Sequence, residues 1–120
     1  GTAFGEAEVA ICSTHKSVKV FEYTWNGMIQ HDMKNKEDRI HPTQKPVALY
    51  SWLIKNYANQ GDKILDTHLG SGSIAIAIDK ANRMDGMNLT FTGIELDKEY
   101  FDSAVKRFNQ YANQTTIFDL

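Results

Sequence analysis

The segment Ile64-Leu65-Asp66-Thr67-His68-Leu69-Gly70-Ser71-Gly72-Ser73-Ile74-Ala75 constrains the fold more than any other part of this 120-residue chain. A strand runs into a turn holding Gly70 and Gly72, and the turn opens a helix. Glycines at such a turn let the backbone come close to a ligand. The helix start offers N–H groups that the helix itself cannot pair. The surrounding pattern agrees with a ligand-binding α/β unit. Pro46 to Gln60 predicts a helix, with proline at its first position and Val47, Tyr50, Leu53, Ile54 and Tyr57 on one apolar face. Gly61 is expected to end it in a left-handed cap. Lys63 to Asp66 predicts a strand, and Ser73 to Arg83 a helix buried on most sides through Ile74 to Ile78. Asp85-Gly86 is a turn signal, and Leu89 to Glu95 predicts the next strand. Asp97 caps a final helix that lines up Phe101, Ala104, Val105 and Phe108. Strands alternating with helices imply a parallel sheet with helices packed on it.

The patterning changes near Ile40. Upstream, Glu8 to Ser13 and Val18 to Trp25 read as two strands joined through His15-Lys16-Ser17 as a hairpin. Phe21, Tyr23 and Trp25 share one face at period two. Asn26 to Arg39 is polar and of mixed charge, the pattern of a solvated loop.

Composition narrows the function classes. Hydrophobic residues make up 42% and charged residues 23%, which suits one compact domain or part of a larger one. The net charge is −2, whereas a domain dedicated to gripping nucleic acid is usually strongly basic. No apolar run is long enough to span a membrane, and the first residues carry no signal-peptide pattern. Cys12 is the single cysteine, so no intrachain disulfide forms, and a reducing, cytoplasmic setting is expected. The four histidines lack metal-ligand spacing, so no metal is expected.

Gly70-x-Gly72-x-x-Ala75, with Glu95 downstream, fits the fingerprint of a dinucleotide site. Asp66 argues for a different ligand. A dinucleotide places an anionic pyrophosphate at such a loop, where a carboxylate repels it. S-adenosyl-L-methionine has a cationic amino group and a sulfonium but no phosphate, and an aspartate at the strand end suits it. Glu95, in Thr92-Gly93-Ile94-Glu95-Leu96-Asp97, ends a neighbouring strand and can accept hydrogen bonds from both ribose hydroxyls. The plainer structural roles are Asp66 bonding backbone N–H groups of its own loop and Glu95 as a solvated strand-end acid.

These residues resemble the amino-methyltransferases of restriction-modification systems and phages. His41-Pro42-Thr43-Gln44-Lys45-Pro46 looks like the family's H-P-T-[EQ]-K-P segment, and Asp66 to Ser73 like its D-P-F-x-G-S-G-T loop. Glu95 matches the acid at the following strand end. The order of the motifs is that of the β group, in which the catalytic motif lies upstream. The resemblance covers roughly Val9 to Phe108 and implies a partial Rossmann-like methyltransferase fold. It further implies that Asp66 holds the methionine amino group, that Thr43 and Lys45 lie near its carboxylate, that Glu95 holds the ribose and that Leu96 packs by the adenine. Thr67, His68, Gly70, Ser71 and Gly72 complete the implied cofactor cradle. Thr67 and His68 depart from the usual Pro-Phe; His68 either points at the cofactor or fills the aromatic slot.

The resemblance also implies an activity that this stretch does not carry. The family's chemistry sits in a [DNS]-P-P-[YFW] motif, and the two prolines here, Pro42 and Pro46, are not adjacent. No catalytic residue is therefore assigned. The chain looks like the C-terminal part of a longer enzyme that methylates the exocyclic amino group of adenine (N6, favoured) or cytosine (N4) in DNA. A part of that kind is expected to have an exposed sheet edge and to self-associate through it. Gln114-Thr115-Thr116-Ile117-Phe118 resembles peptides that dock on bacterial sliding clamps, or forms a last strand of the domain. Two other readings are a dinucleotide domain of an oxidoreductase and a non-catalytic cofactor-binding module.

Overall fold

Pro46 and the glycines after it punctuate the rest of the chain, and the elements fall between them. The computed structural model describes residues 10, 12–13, 20–22, 25–26, 29–30 and 44–118, the backbone alone for 25–26, 29–30 and 115–118. The chain divides into two units, Gly1–Lys36 and Glu37–Leu120, close to the change in patterning near Ile40.

In the first unit, β1 (Trp25–Asn26) pairs antiparallel with β2 (Ile29–Gln30), Trp25 opposite Gln30 and Asn26 opposite Ile29. This corrects the expected hairpin. Val20, Phe21 and Glu22 are not in a strand, and the described ladder lies at the start of the stretch read as a loop. Asn26-Gly27 is a hairpin-turn signal in its own right, which the aromatic alternation upstream outweighed. Most of residues 8–25 lie outside the described residues.

In the second unit, α1 (Val47–Tyr57) begins after Pro46, whose extended ψ of 147 makes it the N-cap rather than the first helical residue. The helix ends at Ala58, before the expected boundary. Gly61 does take a positive φ of 83, but in the following turn, where Asp62 accepts the Asn59 N–H at 2.8 Å. From that turn, β3 (Lys63–Asp66) leads through the glycine loop into α2 (Ser73–Asp85). Gly86, at φ 63, supplies the left-handed cap, so α2 runs beyond Arg83. Next, β4 (Thr90–Gly93) pairs parallel with β3, Ile64 opposite Phe91 and Asp66 opposite Gly93. Asn82 guides the return into β4. Its amide donates to the Leu89 carbonyl at 3.0 Å and accepts the Leu89 N–H at 2.7 Å. Leu89 is buried, so a lost partner here costs roughly 1–3 kcal/mol per group.

Asp97 caps α3 (Lys98–Phe118), its Oδ1 accepting the Tyr100 N–H at 3.0 Å. This helix corrects the reading of the tail. Gln114 to Phe118 is not a last strand; its backbone continues α3. No glycine or proline follows Gly93, so nothing interrupts the helix once Asp97 has started it.

Val47 and Ile54 of α1 pack with Ile76, Ala77, Ile78 and Ala81 of α2 and with Leu89. The sheet is treated unequally on its two faces. Ile64, Asp66, Phe91 and Gly93 are half-buried, whereas Lys63, Leu65, Thr90 and Thr92 are exposed, Leu65 by 61%. Parallel sheets are normally covered on both faces. Among the described residues the sheet has two strands, so each has an unpaired edge. The fold is α/β, a partial Rossmann-like unit of parallel strands and flanking helices.

Candidate functional site

Parallel pairing brings the ends of β3 and β4 side by side, and the glycine loop turns between them. The Asp66 carbonyl accepts the Ile94 N–H at 2.8 Å, and Leu69 N–H donates back to the Ile94 carbonyl at 2.9 Å. Two residues then need left-handed backbone, Gly70 at φ 58 and Gly72 at φ 79. A Cβ on Gly72 would also meet the Ala104 Cβ at 3.3 Å, so glycine fits both the torsion and the approach of α3.

The two carboxylates singled out from the sequence flank this loop. Asp66 Oδ1 accepts the His68 N–H at 2.9 Å, the loop-capping role that the sequence also allowed. Glu95 Oε1 accepts the Gly70 N–H at 2.8 Å, and its Oε2 accepts the Asp97 N–H at 3.0 Å. Glu95 is thus no loosely solvated acid: it pins the loop to the start of α3. Each carboxylate oxygen has two lone-pair directions, so these bonds are compatible with accepting ligand hydroxyls as well.

The other candidates divide. Lys45 is half-buried, and its carbonyl accepts the Ser73 hydroxyl at 2.7 Å, which joins the segment before α1 to the loop. Ser71 is buried beside Ser73, with their hydroxyls 3.2 Å apart. Thr67 and His68 are exposed, and the Thr67 hydroxyl lies 2.9 Å from His68 Nδ1, so the imidazole does not fill an apolar slot. Leu96, beside Glu95, is 99% exposed. Thr43 lies outside the described residues. Lys45, Asp66, Gly70, Ser71, Gly72 and Glu95 therefore come together around one loop, with Thr67, His68 and Leu96 at its open side.

Sequence reasoning missed two residues here. Arg107 of α3 donates to Ser71 and Ser73. It follows Ala104 by three residues, so a cation on the apolar stripe of α3 was the available signal. Gly93 is the other; a Cβ there would meet Leu69 Cδ1 at 2.9 Å and the Phe91 ring at 3.0 Å, and no pattern in the sequence marks it.

A cavity of about 280 Å³ lies behind the loop, lined by Leu69, Gly72, Ala75, Phe91, Gly93, Ala104, Val105 and Phe108. It holds neither Asp66 nor Glu95 and offers no polar anchor, so the candidate site is the loop rim and not this cavity. Among the described residues no cluster of three or more histidines, cysteines or acids suits a metal ion. No helix among them is long and apolar enough to cross a membrane.

Comparison with known proteins follows the same residues. The N6/N4 methyltransferase family model, described as DNA methylase, matches residues 6–106. The type II methyltransferase M.HpaI of Haemophilus parainfluenzae is 38% identical over 79 residues, 66% of this chain and 23% of the relative. M2.DpnII of Streptococcus pneumoniae is 33% identical over 89 residues, 74% of this chain and 31% of the relative. M2.LlaDCHI of Lactococcus lactis subsp. cremoris is 31% identical over 94 residues, 78% of this chain and 32% of the relative. The chain thus spans roughly a quarter to a third of the length of these relatives. No solved structure gives a significant match.

Proposed function

The chain belongs to the N6/N4 family of DNA methylases, and from that premise we propose that it is the S-adenosyl-L-methionine-binding part of a DNA methyltransferase. The base modified is adenine at N6 or cytosine at N4, adenine being the first to test. One observation carries the reading: Asp66 ends β3 and Glu95 lies two residues past the end of β4, which stops at Gly93 rather than at the expected Glu95, so the two acids stand on either side of a glycine turn with Glu95 bonded to the Gly70 amide at 2.8 Å. Two acids there suit a ligand with an ammonium group and ribose hydroxyls and oppose one with a pyrophosphate.

The cofactor supplies a methyl group activated by a sulfonium. This chain's residues bind and orient it. Asp66 holds the methionine amino group, and Thr43 and Lys45 lie near its carboxylate, with which the Lys45 ammonium pairs. Glu95 takes the ribose hydroxyls, and Leu96 covers the adenine. Gly70 leaves the loop without a side chain at its start, and Gly72 lets α3 pack against the loop's other end. The base-holding motif is supplied from outside this stretch. The exposed face of Lys63, Leu65, Thr90 and Thr92, with strand edges that are unpaired among the described residues, is the surface on which the remainder of the enzyme, or a second copy, packs. DNA reaches the site only through that assembly, in the cytoplasm.

Calorimetric titration with S-adenosylhomocysteine and, separately, with NAD tests the reading. Saturable binding of the first and none of the second is expected. Binding of NAD in preference would replace the methyltransferase reading with a dinucleotide one.

A further inference from the structure

Ser71 and Ser73 are buried hydroxyls, 5% and 1% exposed, at the turn that the proposed cofactor must approach. Buried hydroxyls need partners, and the protons here can be traced. Ser73 gives its single hydroxyl proton to the Lys45 carbonyl at 2.7 Å. In the 3.2 Å contact between the hydroxyls, Ser71 is therefore the donor and Ser73 the acceptor. Arg107 Nη1 then donates to Ser73 Oγ at 2.8 Å, to the Ser71 carbonyl at 3.2 Å and to Ser71 Oγ at 3.3 Å.

A guanidinium beside the first residue of α2 stands at the unfavourable end of that helix dipole. Charge-assisted bonds to three oxygens offset the placement. The result is that α3 grips the loop at two points. At the start of the turn, Glu95, tied to the start of α3 through the Asp97 N–H, holds the Gly70 amide; further on, Arg107 holds Ser71 within the turn and Ser73 after it. Ser73 carries the restraint on to Lys45.

We propose that Arg107 is a positioning residue for the cofactor loop, fixing the Gly70–Gly72 turn and the Lys45 segment in one arrangement through Ser71 and Ser73. The proposal rests on the cofactor reading for its ligand, but its effect on the loop is measurable without one. Leu69, Gly70 and Gly72 amides are hydrogen-bonded to Ile94, Glu95 and Leu69, so their exchange with solvent reports loop order.

The test compares the full chain with Arg107→Met and Arg107→Lys by amide hydrogen exchange, thermal unfolding and titration with S-adenosylhomocysteine. In Arg107→Met, exchange at Leu69, Gly70 and Gly72 accelerates and affinity falls, each by about tenfold, the scale of one charge-assisted hydrogen bond. Amides inside α1 change no more than the fall in global stability requires. Arg107→Lys, with a compact ammonium in place of the planar fork, lies between the two. Should Arg107→Met fail to fold, the smaller shift in Arg107→Lys decides in its place. A lowered melting temperature with loop exchange and affinity unchanged would overturn the proposal. A parent chain that does not bind S-adenosylhomocysteine counts against the cofactor reading, and its loop exchange still decides the role of Arg107.

Discussion

Purified by itself, the 120-residue chain is expected to transfer no methyl group to DNA. An exocyclic amino nitrogen is a poor nucleophile because its lone pair is delocalised into the ring. Reaction needs hydrogen-bond acceptors that localise the lone pair while the base is out of the stack, and an in-line approach to the sulfonium. Pro42 and Pro46 are the only prolines and are not adjacent, so no acid-Pro-Pro-aromatic segment is present. The strand-end acids offer no substitute. Asp66 caps its own loop and Glu95 is bonded to the Gly70 and Asp97 amides. A tritium-transfer assay on mixed genomic DNA checks this, run with and without a separately supplied catalytic half. The expected result is background counts for the chain alone and incorporation on complementation. Robust incorporation by the chain alone would remove the assignment of the missing motif.

Glu95→Ala is expected to have the largest effect of any single substitution on cofactor affinity. It removes the anionic acceptor proposed for two ribose hydroxyls, each such bond being worth roughly 1.5–3 kcal/mol. It also releases the Gly70 and Asp97 amides, so the loop loses its tie to α3. Affinity for S-adenosylhomocysteine should fall between about a hundredfold and ten-thousandfold. Glu95→Gln keeps one acceptor oxygen and should lie between the alanine variant and the parent. Calorimetry of the three proteins measures the series. Equal affinity of parent and Glu95→Ala would show that Glu95 serves the fold alone.

Much of the second unit was legible because its signals are local. Lys63–Asp66 reads as a strand, Ser73 opens α2 after two glycines, and Asp97 caps α3 by its own side chain. The convergence of Asp66 and Glu95 on the glycine loop follows from their order and spacing on a β-α-β unit, while their expected ligand rested on the charge of Asp66 and on the family resemblance. What the sequence concealed is tertiary. Arg107 meets Ser71 and Ser73 across more than thirty residues, 36 and 34 apart. Asn82 is a plain polar position until Leu89 folds back on it. The tail differs for a local reason: Gln114 to Phe118 does not form a last strand because no helix breaker follows Gly93 to stop α3.

The central claim is that the rim of the glycine loop, between Asp66 and Glu95, is the cofactor site. Nuclear magnetic resonance of the nitrogen-15-labelled chain, titrated with S-adenosylhomocysteine, tests it most directly. Saturable shifts are expected, concentrated in the amides of Asp66 to Gly72 and Glu95 to Asp97, with α1 beyond its first turn little changed. Shifts that leave those two segments untouched while the ligand binds elsewhere, for instance in the apolar cavity beside Phe91 and Phe108, would contradict it.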